Sequence, residues 1–559
     1  MEFLDARRLT GPSIIADGPG SILDVRCTPD ESEPFVRAWK ANVLNMHEVL
    51  GWPKPVCVAR RLLSGVSVAF SSPIDRLYAA SELNEWAYAV SAAELGVDVE
   101  VPDFDETVAA LLASAAEEAN PELIALVEAA ARREKPLLWD DDHVSIGLGR
   151  SAKTWGARDL LEDVDWDAHD SIPIGLVTGT NGKTTTVRLA THIVRAAGLN
   201  VGLSSTDWIA VNDRIIDRGD WSGPGGARAV LRESDVDVAI LESARGGLLR
   251  RGLGVDKADA ALITNIAEDH LGDFGSQDLN ELLNIKWVTS RAVRRSGTLI
   301  LNADDALLVG KAPEHRGEIE WFSLDASNAV VVAAIANGGR AFVLDDGVLK
   351  VITGDSTTDI CRADEIPITL GGAAQHNVAN ALAAAALTFN LGIALDSIRA
   401  GLCSMSQDDN PGRCNIYDVA GVKVLVDFAH NPAAMHALFD MAQAIPASRR
   451  VLCFGQAGDR PDDLIRNMTR DAFNIGLDQV MVSELAAYHR GREHGEIFNV
   501  IRDELVRCGL NEACIGHYEE EMEAFDAALA WAQPGDLVIM LALGGAAPIQ
   551  DRLRALGAE

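Results

Sequence analysis

Basic residues are scarce. The 559 residues carry 49 Lys and Arg against 83 Asp and Glu, a formal charge of −34, and no strongly basic patch interrupts the acidic background. Recognition of a phosphodiester backbone needs a positive surface, so nucleic acid is not expected as a partner. Cysteine is thin as well: eight residues, at 27, 57, 361, 403, 414, 453, 508 and 514, with no C-x-x-C pair. Neither a disulfide framework nor a cysteine-based structural zinc site is indicated, and a reducing compartment fits best. Long apolar runs are missing too. The run at 537–543 is far below the roughly 20 residues that span a bilayer, and the start of the chain is charged at once, without the apolar core of a secretory signal. The expectation is a soluble, cytoplasmic protein with no membrane partner. There is no tandem repeat and no low-complexity tract.

What is present is ordinary globular composition, 48% apolar and 24% charged. At roughly 150 residues per domain the length suits three or four units. Residues 31–134 read as mostly helical, with one strand at 65–70 and a long amphipathic helix from Glu106. An acidic connection at 161–170 closes this part. Beyond it the pattern changes to apolar strands alternating with helices: 174–177, a helix from Lys183, then 236–241, 260–264 and a helix over 279–294. That alternation implies a parallel sheet covered on both faces. A turn-rich break at Gln407-Asp408-Asp409-Asn410-Pro411-Gly412 precedes a second α/β unit, with strands at 423–427, 450–454, 479–483 and 536–543. The expected division is an α+β N-terminal domain (1–165), a central parallel-sheet α/β domain (166–408) and a Rossmann-like C-terminal α/β domain (409–559).

Gly179-Thr180-Asn181-Gly182-Lys183-Thr184-Thr185 lies between an apolar strand and a helix. Glycines let the backbone wrap a phosphate, the helix start offers free N–H groups, Lys183 neutralises charge and Thr184 is placed to hold Mg²⁺. The position five residues before Gly182 is Val177 rather than glycine, so this is a shortened phosphate loop. A glycine-rich turn carrying a stray lysine is the alternative. Glu242, at the end of the next strand, stands where open sheets bind ligands and is either a metal ligand or a solvated helix cap. Arg245, Arg250 and Arg251 either hold an anionic group or pair with the acidic surface. His270 is either structural or, with Glu242, a ligand of a second Mg²⁺. Lys286 alone reads as a surface lysine.

These motifs, followed by Gln375-His376-Asn377-Val378-Ala379-Asn380, Asn410-Pro411-Gly412-Arg413 and Asp427-Phe428-Ala429-His430-Asn431-Pro432 in this order, are similar to the ATP-dependent Mur ligase superfamily. Within it, the stretches from Asp220, Glu242, Asn410 and Arg490 look most like the Mur-type half of the cyanophycin synthetases, over roughly 172–559. The resemblance implies ATP and Mg²⁺ as cofactors. Gly179, Thr180, Asn181, Gly182, Lys183, Thr184 and Thr185 would cradle the phosphates, and Glu242 and His270 would hold metal between the γ-phosphate and a substrate carboxylate. Asn377 would contact adenine, or simply cap its helix. Arg413 would reach the phosphates and Asp427 the ribose. His430 would lie close to the phosphates, although Asn431-Pro432 is also an ordinary helix start. Lys286 falls where the superfamily places a lysine that can be carbamylated. Asp459, Arg460, Arg490 and Arg492 would help hold an incoming amino acid, or form loop salt bridges.

The implied reaction is attack of a carboxylate on ATP to give an acyl phosphate, then attack by an amino acid amine, with the third domain closing about residues 408–413. The substrates would be an amino acid, a basic one suiting this chain's acidic character, and a carboxylate on a small peptide or acidic amino-acid derivative; a homo-oligomer is compatible with this reading. The resemblance departs at one point. Cyanophycin synthetases carry an ATP-grasp unit before the Mur-like half, and only about 20 residues separate Gly149 from the phosphate-loop strand, against an ordinary domain length of roughly 100 or more. The first 165 residues match those enzymes' N-terminal domain only at short strings, and a unique recognition domain is an equal reading. A nucleotide-binding pseudoenzyme and an accessory subunit of a separate polymer-forming ligase are the alternative functions.

Overall fold

The computed structural model describes residues 1–62, 64–159, 164–269 and 278–558. It begins with a four-stranded antiparallel sheet in the spatial order Glu2–Leu9, Gly20–Arg26, Gly65–Ser71, Cys57–Leu62. Helices Pro29–Val49 and Leu77–Glu94 pack on it through Phe35, Trp39, Met46 and Leu83, and Trp39 Nε1 donates to the buried Asn84 Oδ1 at 2.8 Å. The sequence suggested only one of these four strands. Glu2–Leu9, with Glu, Asp and two Arg, and Cys57–Leu62, with two Arg, are edge strands, so their order comes from pairing with apolar neighbours rather than from their own pattern. The expected long helix from Glu106 is two helices, Phe104–Glu118 and Pro121–Arg132. Pro121 disfavours helical backbone at the residue before it, and Asn120 instead caps the second helix by accepting from Leu123 N at 3.1 Å. A small antiparallel sheet, Leu137–Trp139, His143–Ile146 and Lys153–Gly156, follows.

The central sheet has eleven strands. Its parallel part runs Val201–Ser204, Val238–Glu242, Ile174–Thr178, Ala258–Ile263, Val293–Asn302, Glu318–Ser323 and Arg340–Asp345, with antiparallel strands added at both edges. Ile174–Thr178 is buried throughout, which is why it reads as a continuous apolar run. Helices Lys183–Ala196 and Gln375–Asn390 cover one face through Val187, Ile193, Leu382 and Leu387; helix Leu279–Lys286 packs on the other. The expected helix over 279–294 stops at Lys286, continues as a 3₁₀ turn to Ala292 and gives way to strand Val293–Asn302. That strand's charged start, Arg294 and Arg295, disguises it.

The last sheet has six strands in the order Asn415–Val419, Val422–Asp427, Leu537–Leu541, Arg450–Phe454, Gln479–Ser483, Ile515–Tyr518, parallel except for the first hairpin. The fold is thus α/β around two large, parallel-rich sheets, preceded by an α+β unit. Among the described residues no helix is long and apolar enough to cross a membrane.

Candidate active site

In the central sheet the chain leaves Ile174–Thr178 on one side to build Val238–Glu242 and on the other to build Ala258–Ile263. Such a reversal of strand order opens a crevice at the carboxyl ends of the strands. Here it holds a cavity of about 810 Å³, walled by both large α/β units.

The floor is the phosphate loop. Gly179 has φ +146° and Gly182 φ +81°; a Cβ on either would meet Thr264 Oγ1 at 1.8 Å or Asn380 Oδ1 at 2.2 Å, so both positions require glycine. The next strand's exit braces the loop. Asn181 N donates to Asn265 Oδ1 (2.9 Å), Thr264 Oγ1 donates to Asn181 O (2.6 Å) and Thr180 N donates to Asn265 O (2.9 Å). Helix Lys183–Ala196 therefore starts with its free N–H groups facing the cavity, an anion site by construction.

Thr184 Oγ1 donates to Glu242 Oε2 at 3.1 Å. Glu242 is 1% exposed and its Oε1 has no hydrogen-bond partner among the described residues. Burial pushes its carboxyl above the ordinary range, against the pull of the Lys183 charge. A buried, half-satisfied carboxylate beside a threonine hydroxyl and a phosphate loop is a fitting oxygen donor set for Mg²⁺. Lys183 Nζ donates to Thr180 O (2.8 Å) and Lys286 Nζ to Gly179 O (2.6 Å). Lys286 is not on the surface. It is 3% exposed, and burial together with the neighbouring Lys183 charge pushes its amine well below the ordinary lysine range.

The opposite wall comes from the C-terminal sheet. Asp427 ends its strand and accepts from Cys414 N (2.7 Å) and Ala429 N (2.6 Å). His430 Nε2 lies 3.7 Å from Asp269, and Arg413 stacks 4.6 Å over Phe428. Asn377, 2% exposed, donates to Ile368 O (2.8 Å) and accepts from Asn380 (3.1 Å). Arg245, Arg460 and Arg490 also reach the cavity. Arg250 and Arg251 do not: both are exposed at the far end of the short helix Arg245–Arg250. Asp459 is exposed and pairs with Arg490, while Arg492 is occupied by Asp462 (2.7 Å) and Glu496 (3.0 Å) away from the cavity. His270 lies outside the described residues.

Sequence reasoning missed several groups. Thr206 and Asp207, after strand Val201–Ser204, line the cavity. Behind them Arg188, 4% exposed, donates to Asp207 (2.6 Å), Asn410 Oδ1 (3.1 Å) and Pro411 O (3.1 Å), tying the phosphate-loop helix to the turn that leads into the C-terminal sheet. No local motif announces these residues; only the alternation of Arg188 with the apolar positions of its helix hints at an inward-facing charge.

Residues 177–388 match the Mur ligase middle domain and residues 412–544 the Mur ligase glutamate ligase domain, together well over half of the chain. The chain belongs to the Mur ligase family. Among curated proteins, this Mur ligase is 37% identical over 399 residues to cyanophycin synthetase of Geminocystis herdmanii, covering 71% of this chain and 45% of that one. It is 29% identical to UDP-N-acetylmuramoyl-L-alanyl-D-glutamate--2,6-diaminopimelate ligase of Chlorobium phaeobacteroides, covering 67% and 72%. The chain thus spans less than half the length of the cyanophycin synthetases it matches. The structure of E. coli FolC in complex with DHPP and ADP shares the fold, with a TM-score of 0.50 and 21% identity over 68% of this chain and 89% of that one.

Proposed function

We propose that this Mur ligase uses ATP to join a carboxylate to an amino acid amine, releasing ADP and phosphate. The observation that carries the reading is the buried Glu242 carboxylate, held by Thr184 at the phosphate loop with one oxygen unsatisfied. Thr184 and Glu242 are the residues that would hold Mg²⁺, which when bound neutralises charge on the phosphates.

A substrate carboxylate oxygen attacks the γ-phosphorus; the new P–O bond forms as the bond to the β-phosphate oxygen breaks, leaving ADP and an acyl phosphate. Lys183 and the N–H groups of residues 182–185 bind the phosphates and offset the charge that builds on them. Arg413, from beyond the hinge, approaches from the other wall. An amine then attacks the acyl carbon, the C–O bond to phosphate breaks, and the amine proton is lost as the amide forms. No protein nucleophile is needed, so positioning by the two walls supplies most of the rate.

Two details bear on the substrates. Asp207, Asp220 and Asp269 line the same cavity as Lys183, Lys286 and Arg245, so the cavity offers opposite charges to both a cationic amine and an anionic carboxylate. Arg460 and Arg490 stand where an amino acid carboxylate would be held from the C-terminal unit. The test is ADP release by the purified chain across pools of amino acids and acidic peptides with Mg²⁺ and ATP. Substrate-dependent release with the matching amide in the mass spectrum supports the reading; ADP release in no amine and carboxylate pair, with ATP bound, turns it to a nucleotide-binding pseudoenzyme.

A further inference from the structure

At the outer end of the C-terminal sheet three histidines gather around one buried carboxylate. Glu484 follows strand Gln479–Ser483 and is 3% exposed. His517 sits on the edge strand Ile515–Tyr518, with Nε2 2.5 Å from Glu484 Oε1. His494 precedes helix Glu496–Cys508, its ring 5.6 Å from that of His517. Glu484, His494 and His517 each offer a ligand atom within 4.8 Å of the others. His489 Nε2 donates to Glu484 O at 3.1 Å and lies 3.2 Å from Glu484 Oε2; that second contact lacks hydrogen-bond alignment, so Oε2, although buried, has no hydrogen-bond donor.

We propose that Glu484, His494 and His517 form a binding site for a first-row divalent cation, with Zn²⁺ the best fit. Two imidazoles and a carboxylate are the donor types that zinc takes, at about 2.0–2.2 Å each. The supporting contacts are those of ligating histidines. Glu519 accepts from His494 Nε2 at 2.9 Å, and Phe498 stacks on His517 at 3.9 Å and 5°, so both rings are oriented before an ion arrives. A buried carboxylate oxygen without an aligned hydrogen bond is costly; the His489 ring, 3.2 Å from Oε2, offsets this in part, and an ion held by Glu484 would do so more fully. Among the described residues the second histidine-containing cluster, Asp140, Asp142 and His143, lacks a buried carboxylate oxygen of this kind, since Asp140 is held by Arg232. The site is separate from the phosphate loop but mechanically joined to the cavity: Leu485, Tyr488 and Arg490, just after Glu484, line its wall. An ion bound here pins that wall.

The test uses the full chain, stripped with a chelator and returned to buffer with excess Mg²⁺, into which ZnCl₂ is titrated against a zinc-binding dye. A saturable, stoichiometric site is expected, retained in Glu242→Gln and lost in His494→Gln/His517→Gln, with zinc raising the melting temperature of the parent chain but not of the double variant. X-ray absorption at the zinc edge then reads imidazole ligands in the loaded protein. The single change His494→Gln, at an exposed side chain, covers the case in which the double variant does not fold; it too should weaken zinc. No saturable zinc binding, unchanged binding in the histidine variants, loss in Glu242→Gln, or a shell without imidazole would each overturn the proposal.

Discussion

Asn181 of the phosphate loop and Asn431 of the C-terminal unit exchange side-chain amide hydrogen bonds at 2.8 and 3.3 Å, across 250 residues of chain. Asn431 Oδ1 also accepts from Ala434 N at 2.9 Å, capping helix Pro432–Ala444. One side chain thus starts a helix in one unit and positions the phosphate loop of the other, so the helix cap and the closed cavity are set together.

Asn431→Ala removes both roles. The lost cap should cost about 1 kcal/mol of stability, read as an earlier denaturant midpoint, and the lost contact should raise the KM for ATP about tenfold, the equivalent of one hydrogen bond. Asn431→Asp keeps an acceptor for Ala434 N but no N–H for Asn181, so it should restore the midpoint and leave KM high. Both effects recovering together in Asn431→Asp would show that capping alone matters.

Glu242→Gln keeps the shape and the Thr184 contact while removing the charge. The rate of ADP release should fall about 100-fold or more, the scale of losing one preorganised electrostatic contact to the reacting group, and Mg²⁺ should protect the variant less against heat in the presence of ADP. Nucleotide binding without metal, measured by calorimetry, should change little, because the loop N–H groups and Lys183 remain.

Arg188 is a buried cation whose guanidinium is pushed down to about 10 by desolvation, partly offset by Asp207. Removing one partner of such a pair strands the other. Asp207 is partly exposed and Arg188 keeps Asn410 and Pro411 as acceptors, so Asp207→Ala should destabilise the chain by about 1–3 kcal/mol, and Arg188→Met/Asp207→Ala by less than the sum of the two single changes. A double-mutant cycle on thermal or urea unfolding reads the difference; simple additivity would mean that the pair is not coupled.

The parts of the cavity that were legible in the sequence are those encoded by short segments. Residues 179–185 need two glycines and a lysine at fixed offsets and Glu242 ends its strand, so local pattern places them, whereas Asp427, at the end of strand Val422–Asp427, and His430, in the turn after it, were singled out by the family resemblance. Thr206, Asp207 and Arg188 were illegible because their meeting depends on how helix Lys183–Ala196 lies on the sheet and where the turn at Asn410 crosses it. Arg250 and Arg251 looked like anion ligands only because arginine is scarce; the six-residue helix from Arg245 carries them round to solvent. The fold shows the same division. Fully buried strands such as Ile174–Thr178 were read nearly to the residue, whereas Glu2–Leu9 and Cys57–Leu62, charged and at the sheet edges, take their conformation from neighbours.

Glu521 gives a pH prediction. Its carboxylate accepts from Leu543 N (2.7 Å) and Gly544 N (3.0 Å), fixing the turn that carries Leu543 to the cavity wall. Burial nonetheless dominates and raises its carboxyl from 4.5 to about 7. The folded chain therefore holds a proton that the unfolded chain releases near 4.5, so this group's contribution to stability is fully present below that value and is lost as pH rises through about 7. Urea midpoints of the parent chain should fall across this window. In Glu521→Gln, which keeps the neutral shape at every pH, the fall should be smaller and the midpoint above neutrality higher than the parent's. Parallel pH profiles for the two chains would rule Glu521 out as the titrating group.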